Sequence, residues 1–487
     1  MKVLKNILYK VTLETVVGDT GININTIQFD SRKIDANDVF IAIRGHVVDG
    51  HDYIESALDK GASAVIVEEL PNDFRDNVTY LKVSDSSIAL AIMASNYYES
   101  PSENLKLIGV TGTNGKTTIA SLLYELFTKE GFSTGLLSTV KIAYGRKKFE
   151  NRHTTPDAVT LNKYLNKMLS AGVSHCFMEV SSHGINQNRI EGLVFSGGIF
   201  SNLTHDHLDY HRDFKTYRDV KKLFFDSLPK TAFALINLDD KNGKYMLQNT
   251  VAKKYTYATK HDADFRAKTL EYEFTGMLLK IQSFEVWTTL VGNFNAQNLL
   301  SVYSTADLLG LSSLSILRGI SELKSVEGRF HVFQSADNIT VVIDYAHTPD
   351  ALYNVLSTIN MIRTRNENLI TVVGCGGNRD QEKRPIMGEK AVLLSDKVIF
   401  TSDNPRDEDP AIIISDMFKG VPPEHYKKAI KVTLREEAIL RAGQLAKPGD
   451  IVLIAGKGHE TYQEIKGERF GFDDFKIINE LLKALNK

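Results

Sequence analysis

Lys116 stands in Gly109-Val-Thr-Gly112-Thr-Asn-Gly115-Lys116-Thr117-Thr118, between an apolar run at residues 105–110 and a segment whose Ile119, Leu122, Leu123 and Leu126 fall on one helical face. Glycines in that setting let backbone N–H groups approach phosphate oxygens, and the N-terminus of the following helix adds partial positive charge. Lys116 is then placed to reach the β- and γ-phosphates, and Thr117 offers a hydroxyl to Mg²⁺. The general phosphate-loop spacing asks for glycine where Val110 stands, but strand, Gly-Lys-Thr and helix are all in place. Two further clusters suit the same chemistry. Glu179-Val-Ser181-Ser182-His183 ends one apolar run, and Asn202-Leu-Thr-His205-Asp206-His207-Leu-Asp209-Tyr-His211 follows another. Carboxylate and imidazole at strand ends beside a phosphate loop are what a Mg²⁺-nucleotide site needs, because hard oxygen ligands hold Mg²⁺ and strand C-termini form the crevice.

These residues need a scaffold of alternating strands and helices. The pattern predicts strands near Ile27, at 39–43 and at 64–67, a helix at 53–60 ended by Gly61, and a helix at 89–98 broken at Ser100-Pro101-Ser102. Strands follow at 105–110, 176–180, 198–200 and 234–238, then at 341–344, 369–374, 397–401 and 450–455. This βαβ rhythm predicts an α/β protein with parallel, helix-covered sheets. At about 150 residues per domain, 487 residues suggest about three domains. We place them at 1–103, 104–330 and 331–487: a small N-terminal α/β module, a central P-loop ATPase-like domain and a C-terminal Rossmann-like domain.

Composition narrows the class. With 43% hydrophobic and 24% charged residues the chain is neither disordered nor membrane-embedded, and no stretch approaches 18 apolar residues. A net charge of −2 gives no bulk attraction to nucleic acid or anionic membranes, so an anionic substrate must be met by local basic groups. Cys176 and Cys375 form no metal-type or redox-type pair, and Met1 to Lys10 offers no signal-peptide core, so a cytoplasmic location is expected.

The order and spacing of the motifs resemble the Mur ligases over nearly the whole chain. The matching residues include Asp30-Ser31-Arg32, Gly45-His46, GTNGKTT at 112–118, Thr154-Thr155-Pro156 and EVSSH at 179–183. They continue with DHLDYH at 206–211, Gly292 to Asn298, Glu327-Gly-Arg329-Phe, Asp344-Tyr-Ala-His347-Thr-Pro349, GCGGNRD at 374–380, DNPR at 403–406 and GKGHE at 456–460. The resemblance implies an ATP-dependent amide-forming ligase of cytoplasmic peptidoglycan precursor synthesis. ATP would phosphorylate a carboxylate of a UDP-sugar peptide, and an incoming amine would displace phosphate through a tetrahedral intermediate. Such chemistry asks for positioning and charge neutralisation between anions.

The resemblance also implies residue roles. Gly112, Thr113, Asn114, Gly115, Lys116, Thr117 and Thr118 would cradle ATP, with Asn298, Arg329 and Asp344 reaching its base, phosphates and ribose. Thr117 and Glu179 would hold one Mg²⁺ and His207 a second. Lys221 aligns with a family lysine that is carbamylated into a carboxylate-like metal support. Phe29, Ser31, His46, Val47 and Val48 would meet the uridine end, and His153, Thr154, Thr155, Ser181, Gln187 and Arg189 the rest of UDP-MurNAc-L-Ala-D-Glu. Asp403, Asn404, Pro405 and Arg406, with Arg384, Gly456 and Glu460, match members that add meso-2,6-diaminopimelate. An arginine fork is apt for the far carboxylate that lysine lacks. The alternatives are a lysine-adding member, a folylpolyglutamate synthetase-like ligase, or outside this chemistry a nucleotide-switch ATPase. No nucleic-acid partner or membrane insertion is expected, and the chain is expected to be monomeric.

Overall fold

A computed structural model describes residues 1–45, 48–151, 153–206, 208–485 and 487, with Leu208 and Asp209 described by backbone alone. Three main sheets succeed one another along the chain. The first lies between residues 15 and 82 and pairs Thr15–Val17, Thr79–Lys82, Ala64–Val67, Val39–Ile41 and Ile27–Gln28 in that spatial order; only the Thr15–Val17 edge is antiparallel. Helix Ser86–Tyr97 closes this unit. It begins where the Asp85 carboxylate accepts from the backbone N–H groups of Ser87 and Ile88, three residues before the start expected from the apolar pattern.

The central sheet has eleven strands. At its middle, β1 (Lys106–Thr111) runs parallel between β2 (His175–Glu179) and β3 (Gly197–Phe200). Helix α1 (Lys116–Lys129) leaves the end of β1 and buries Ile119, Leu122, Leu123 and Leu126 against one face. Helix α2 (Phe214–Asp226), capped by Asp213, buries Tyr217, Val220, Phe224 and Phe225 on the other. Apolar side chains on both faces explain why β1 reads as a continuous hydrophobic run. The sheet departs from the expected all-parallel form at both ends. The hairpin Ile142–Tyr144 and Lys147–Phe149 joins one edge, and an antiparallel meander of Phe265–Glu273, Gly276–Ile281 and Phe284–Thr288 extends the other. Helix α3 (Asn293–Leu308) packs against α1 and the meander.

The last sheet has six strands. Strand β4 (Thr340–Asp344) is followed by helix α4 (Pro349–Ile362), strand β5 (Leu369–Val373), helix α5 (Lys383–Leu394) and, later, strand β6 (Ile451–Ala455), which inserts between β4 and β5 in parallel with both. The carboxyl ends of β4, β5 and β6 face the phosphate-loop end of the central unit, and the functional residues lie between them.

Candidate active site

The phosphate loop bends at two left-handed glycines, Gly112 (φ +147°) and Gly115 (φ +91°). A side chain at either would collide: a Cβ on Gly112 would come within 2.0 Å of Ser201 Oγ, and one on Gly115 within 2.6 Å of Asn298 Oδ1. Asn298 therefore sits directly under the loop, inside α3, where its amide donates to Asn295 Oδ1 at 3.1 Å. It is not a helix cap. Lys116 Nζ donates to the carbonyls of Gly112 (2.9 Å) and Thr113 (2.8 Å). Burial pulls this ammonium below the usual lysine range, against the attraction of Glu179 and Asp206.

Thr117, the next residue on α1, donates its hydroxyl to Glu179 Oε2 at 3.0 Å. Glu179 ends β2 almost completely buried, and its carboxylate also accepts from the Thr139 N–H (2.7 Å) and hydroxyl (3.2 Å). Arg329 reaches the same hydroxyl of Thr117 from the junction with the last unit (3.3 Å), stacks 4.2 Å from the Tyr345 ring centre, and among the described residues has no partner for its buried Nε. Asp344, at the end of β4, accepts from the Phe330 N–H at 2.6 Å. Burial pushes its carboxyl up to about 6, opposed by Arg329.

Lys221 lies on the buried face of α2, and its ammonium donates to the Gly112 carbonyl at 2.9 Å. Desolvation first, and repulsion from Lys116 second, hold it well below the ordinary lysine range, with Asp206 opposing. Its neighbour Lys222 is engaged with Asp226 at 2.6 Å, which settles which of the two lysines faces the loop.

These groups open onto one cleft of about 680 Å³ between the central and last units. Residues 113–118 of the loop, Glu179, Asp206, Lys221 and Arg329 line one part. His153, Thr154, Thr155, Ser181 and Arg189 line another. Gln187 does not reach the cleft; its Oε1 accepts from Arg189 Nε (3.0 Å) and so orients that guanidinium, which also donates to the Thr155 carbonyl at 2.6 Å. Phe29, Ser31 and Val48 belong to the first sheet's unit and line no part of the cleft; Phe29 and Val48 are exposed and Ser31 is buried. His46, Val47 and His207 fall outside the described residues.

The far end is formed by Asp403, Asn404, Arg406, Gly456 and Glu460. Pro405 stays behind this wall, its carbonyl so close to Gly377 that a Cβ there would meet it at 1.9 Å. Arg406 holds a left-handed backbone (φ +50°), a strained state for a residue with a side chain, and donates to the Gly377 carbonyl at 2.7 Å. Arg384, expected beside Arg406, is turned elsewhere. It is 1% exposed, and its guanidinium is consumed by Glu408 (2.8 Å) and Asp416 (3.0 Å). As the second residue of α5 it points into the packing between helices. Arg379, five residues earlier at the end of the glycine-rich stretch, lines the cleft instead, as does Arg469. Among the described residues Arg379 pairs with no carboxylate and makes one 3.4 Å contact, to the Asn378 carbonyl. Asp206, Thr139, Tyr345 and Lys383 also line the cleft without having been singled out for it. Asp206 stood in a quoted motif, whereas nothing local marks Thr139.

Comparison with known proteins bears on the same residues. Residues 110–306 match the Mur ligase middle domain, 328–458 the Mur ligase glutamate ligase domain, and 23–98 the catalytic domain of the Mur ligase family. The chain is 53% identical over 485 residues to the UDP-N-acetylmuramoyl-L-alanyl-D-glutamate–2,6-diaminopimelate ligase of Cytophaga hutchinsonii, covering 99% of this chain and 100% of that one. It is 50% identical over 478 residues to the protein of the same name from Phocaeicola vulgatus, covering 98% and 99%. A solved structure of a UDP-N-acetylmuramoyl-L-alanyl-D-glutamate–2,6-diaminopimelate ligase superposes with a TM-score of 0.69 at 32% identity, covering 100% of this chain and 99% of that one.

Proposed function

The chain belongs to the Mur ligase family, and on that premise we propose that it is the ATP-dependent ligase that joins meso-2,6-diaminopimelate to the D-glutamate of UDP-N-acetylmuramoyl-L-Ala-D-Glu. One observation carries the acceptor assignment: the far end of the cleft holds Arg379, which pairs with no carboxylate among the described residues, and Arg406, whose one carboxylate neighbour among them, Glu464, stands 3.5 Å away. A diacidic, diamino acceptor supplies the missing carboxylate there, whereas lysine would bring a cation.

Each wall then has a task. The loop amides and Lys116 hold the terminal phosphates of ATP and neutralise the charge that builds as phosphate moves to the glutamyl carboxylate. Arg329 serves that transfer from the opposite wall. Arg189, Ser181, Thr154 and Thr155 grip the anionic peptide end of the UDP-sugar, whose uridine end we assign to Phe29 and Ser31 on the first unit. Asn298 and Asp344 bracket the nucleoside. The acyl phosphate is then attacked by the amine held at the far end, and phosphate leaves.

Mg²⁺ suits this donor set. Thr117 and Glu179 place hydroxyl and carboxylate oxygens beside the phosphate cradle, and a carbamate on Lys221 would add another anionic oxygen pair. Bound there, the ion supplies charge neutralisation for phosphoryl transfer. No helix among the described residues is long and apolar enough to cross a membrane. We place the enzyme in the cytoplasm, where ATP and UDP-sugars meet, acting as a monomer.

The test is phosphate release by the pure protein with ATP, Mg²⁺ and UDP-MurNAc-L-Ala-D-Glu, offering diaminopimelate, lysine or no amine. Release confined to the diaminopimelate sample supports the reading. Equal release without an amine would point instead to a plain ATPase.

A further inference from the structure

Lys457 follows Gly456 at the end of β6, and its side chain is wholly buried. It contributes nothing to the cleft surface, yet its ammonium touches two residues that do. Nζ donates to Asn404 Oδ1 at 2.9 Å and to Glu460 Oε2 at 3.1 Å. Asn404 Nδ2 in turn donates to the same Glu460 oxygen at 2.8 Å, and the other oxygen of Glu460 accepts from the Tyr345 hydroxyl at 3.2 Å. The three side chains close a ring that joins the Asp403–Arg406 stretch to the Gly456–Glu460 stretch.

The ring has a direction. An ammonium only donates, so Asn404 must turn its oxygen to Lys457 and its nitrogen to Glu460. The Glu464 N–H, donating to the same Asn404 oxygen at 2.9 Å, enforces that orientation. Without the lysine the amide loses one of the two donors that forbid a flip, and Glu460 loses its only cationic partner in the described residues. Lys457 also acts on Asp403: burial would push that carboxyl up, but Lys457 and Arg435 outweigh it and hold it below the usual range. Buried polar groups so arranged are costly unless complete, which makes the ring all-or-none.

We propose that Lys457 is a positioning residue for the acceptor. Directly and through Asn404, it holds the Glu460 carboxylate in the arrangement that accepts from the far amino group of the incoming amino acid, while Arg406 and Arg379 read the far carboxylate. The inference rests on the acceptor assignment above and adds to it a residue that touches no substrate.

The test compares meso-diaminopimelate with 2-aminopimelate, which keeps the far carboxylate but lacks the far amino group, in wild-type protein and in Lys457→Met. The methionine matches the lysine stem in length and removes only the donor. We expect the wild-type preference for diaminopimelate over 2-aminopimelate to fall on the order of tenfold or more through KM for diaminopimelate, with KM for ATP and for the UDP-dipeptide unchanged. An unchanged preference in Lys457→Met overturns the proposal. So does an equal loss with both acceptors, the signature of a merely structural lysine. If Lys457→Met does not fold, as judged by its thermal transition, Lys457→Gln is read in the same way; failure of both to fold assigns the residue to stability and also overturns it. A wild-type protein with no preference between the two acceptors would also overturn the proposal, since the far amino group would then go unread, whereas a wild-type protein that uses lysine as well as diaminopimelate would overturn the acceptor assignment.

Discussion

Removing Arg406, Arg379 and Arg384 one at a time should give three different outcomes, although all three lie within one 28-residue span. Arg406 is largely shielded, with 21% of its side chain exposed, and among the described residues its guanidinium has the Gly377 carbonyl and a 3.5 Å approach to Glu464 as partners. A charge-assisted pair to a substrate carboxylate in such a place is worth about 2–3 kcal/mol. By the usual conversion, Arg406→Ala should lower kcat/KM for diaminopimelate by roughly 30- to 150-fold. Arg379 is exposed, so solvent screens its contact to about 1 kcal/mol and Arg379→Ala should cost roughly fivefold. Neither change should alter lysine use much, because the lost contact exists for only one acceptor. Arg384→Ala should act on stability, since it opens a buried gap and takes the arginine from Glu408 and Asp416, of which Asp416 keeps Lys419, at a cost of about 1–3 kcal/mol. The assays are initial-rate phosphate release with each acceptor and the thermal midpoint of each variant. A normal midpoint with lost diaminopimelate use in Arg384→Ala, or equal losses with both acceptors in Arg406→Ala, would refute the reasoning.

Lys116→Ala should lower turnover by about 10²–10³-fold or more with folding intact, because the closest cation to the transferred phosphate is gone; near-normal rates in soluble variant would exclude that role. Lys221→Ala should be inactive and partly restored by a small carboxylate such as acetate if the working group is a carbamate, and restoration by an alkylamine instead would mean that an ammonium is used. His347 is held near 4 by burial first and by the charge of Lys383 second, so its neutral form is favoured in the folded protein. That stability is present above the unfolded value of about 6.5 and is lost as pH falls toward 4, up to about 3 kcal/mol for this one group. His347→Gln should therefore flatten the acid limb of the stability profile, read as the denaturation midpoint between pH 7 and pH 4, and an unchanged limb would show that other groups dominate it.

The phosphate loop was legible because everything it needs is local: a run of apolar residues, glycines, Lys116, Thr117 and the apolar face of α1 occupy consecutive positions. The acceptor end was legible only as a set of motifs. Arg379 and Arg384 are both basic, both in one stretch, and chemically equal as text. What separates them is that α5 begins at Lys383, which turns Arg384 toward Asp416 on a later helix and leaves Arg379 on the loop before it. That choice depends on a partner 32 residues away. The meander was missed for a different reason. Phe265, Ala267, Met277, Leu279, Ile281 and Val286 are its buried apolar side chains and mostly alternate with more exposed ones, so the strand period was present. A reading tuned to buried parallel strands passed over half-buried antiparallel ones.

Lys221 shows how a site can be read from what it lacks. Its ammonium and that of Lys116 both bond the Gly112 carbonyl oxygen at 2.9 Å, so the two nitrogens are no farther apart than twice that distance. Two full positive charges within about 6 Å repel by about 3 kcal/mol at an effective dielectric of 20. Lys221 makes no ion pair among the described residues, and desolvation adds to the repulsion, which is why its proton is so weakly held. A neutral amine there is a nucleophile able to take up CO₂, and the resulting carbamate changes the sign of the interaction: Lys116 then attracts what it previously repelled. The same replacement turns a group that would oppose a divalent cation into one that helps to hold it. A buried lysine beside the phosphate loop is therefore poorly placed as a permanent cation and well placed as the precursor of an anion, which is the role proposed for it here.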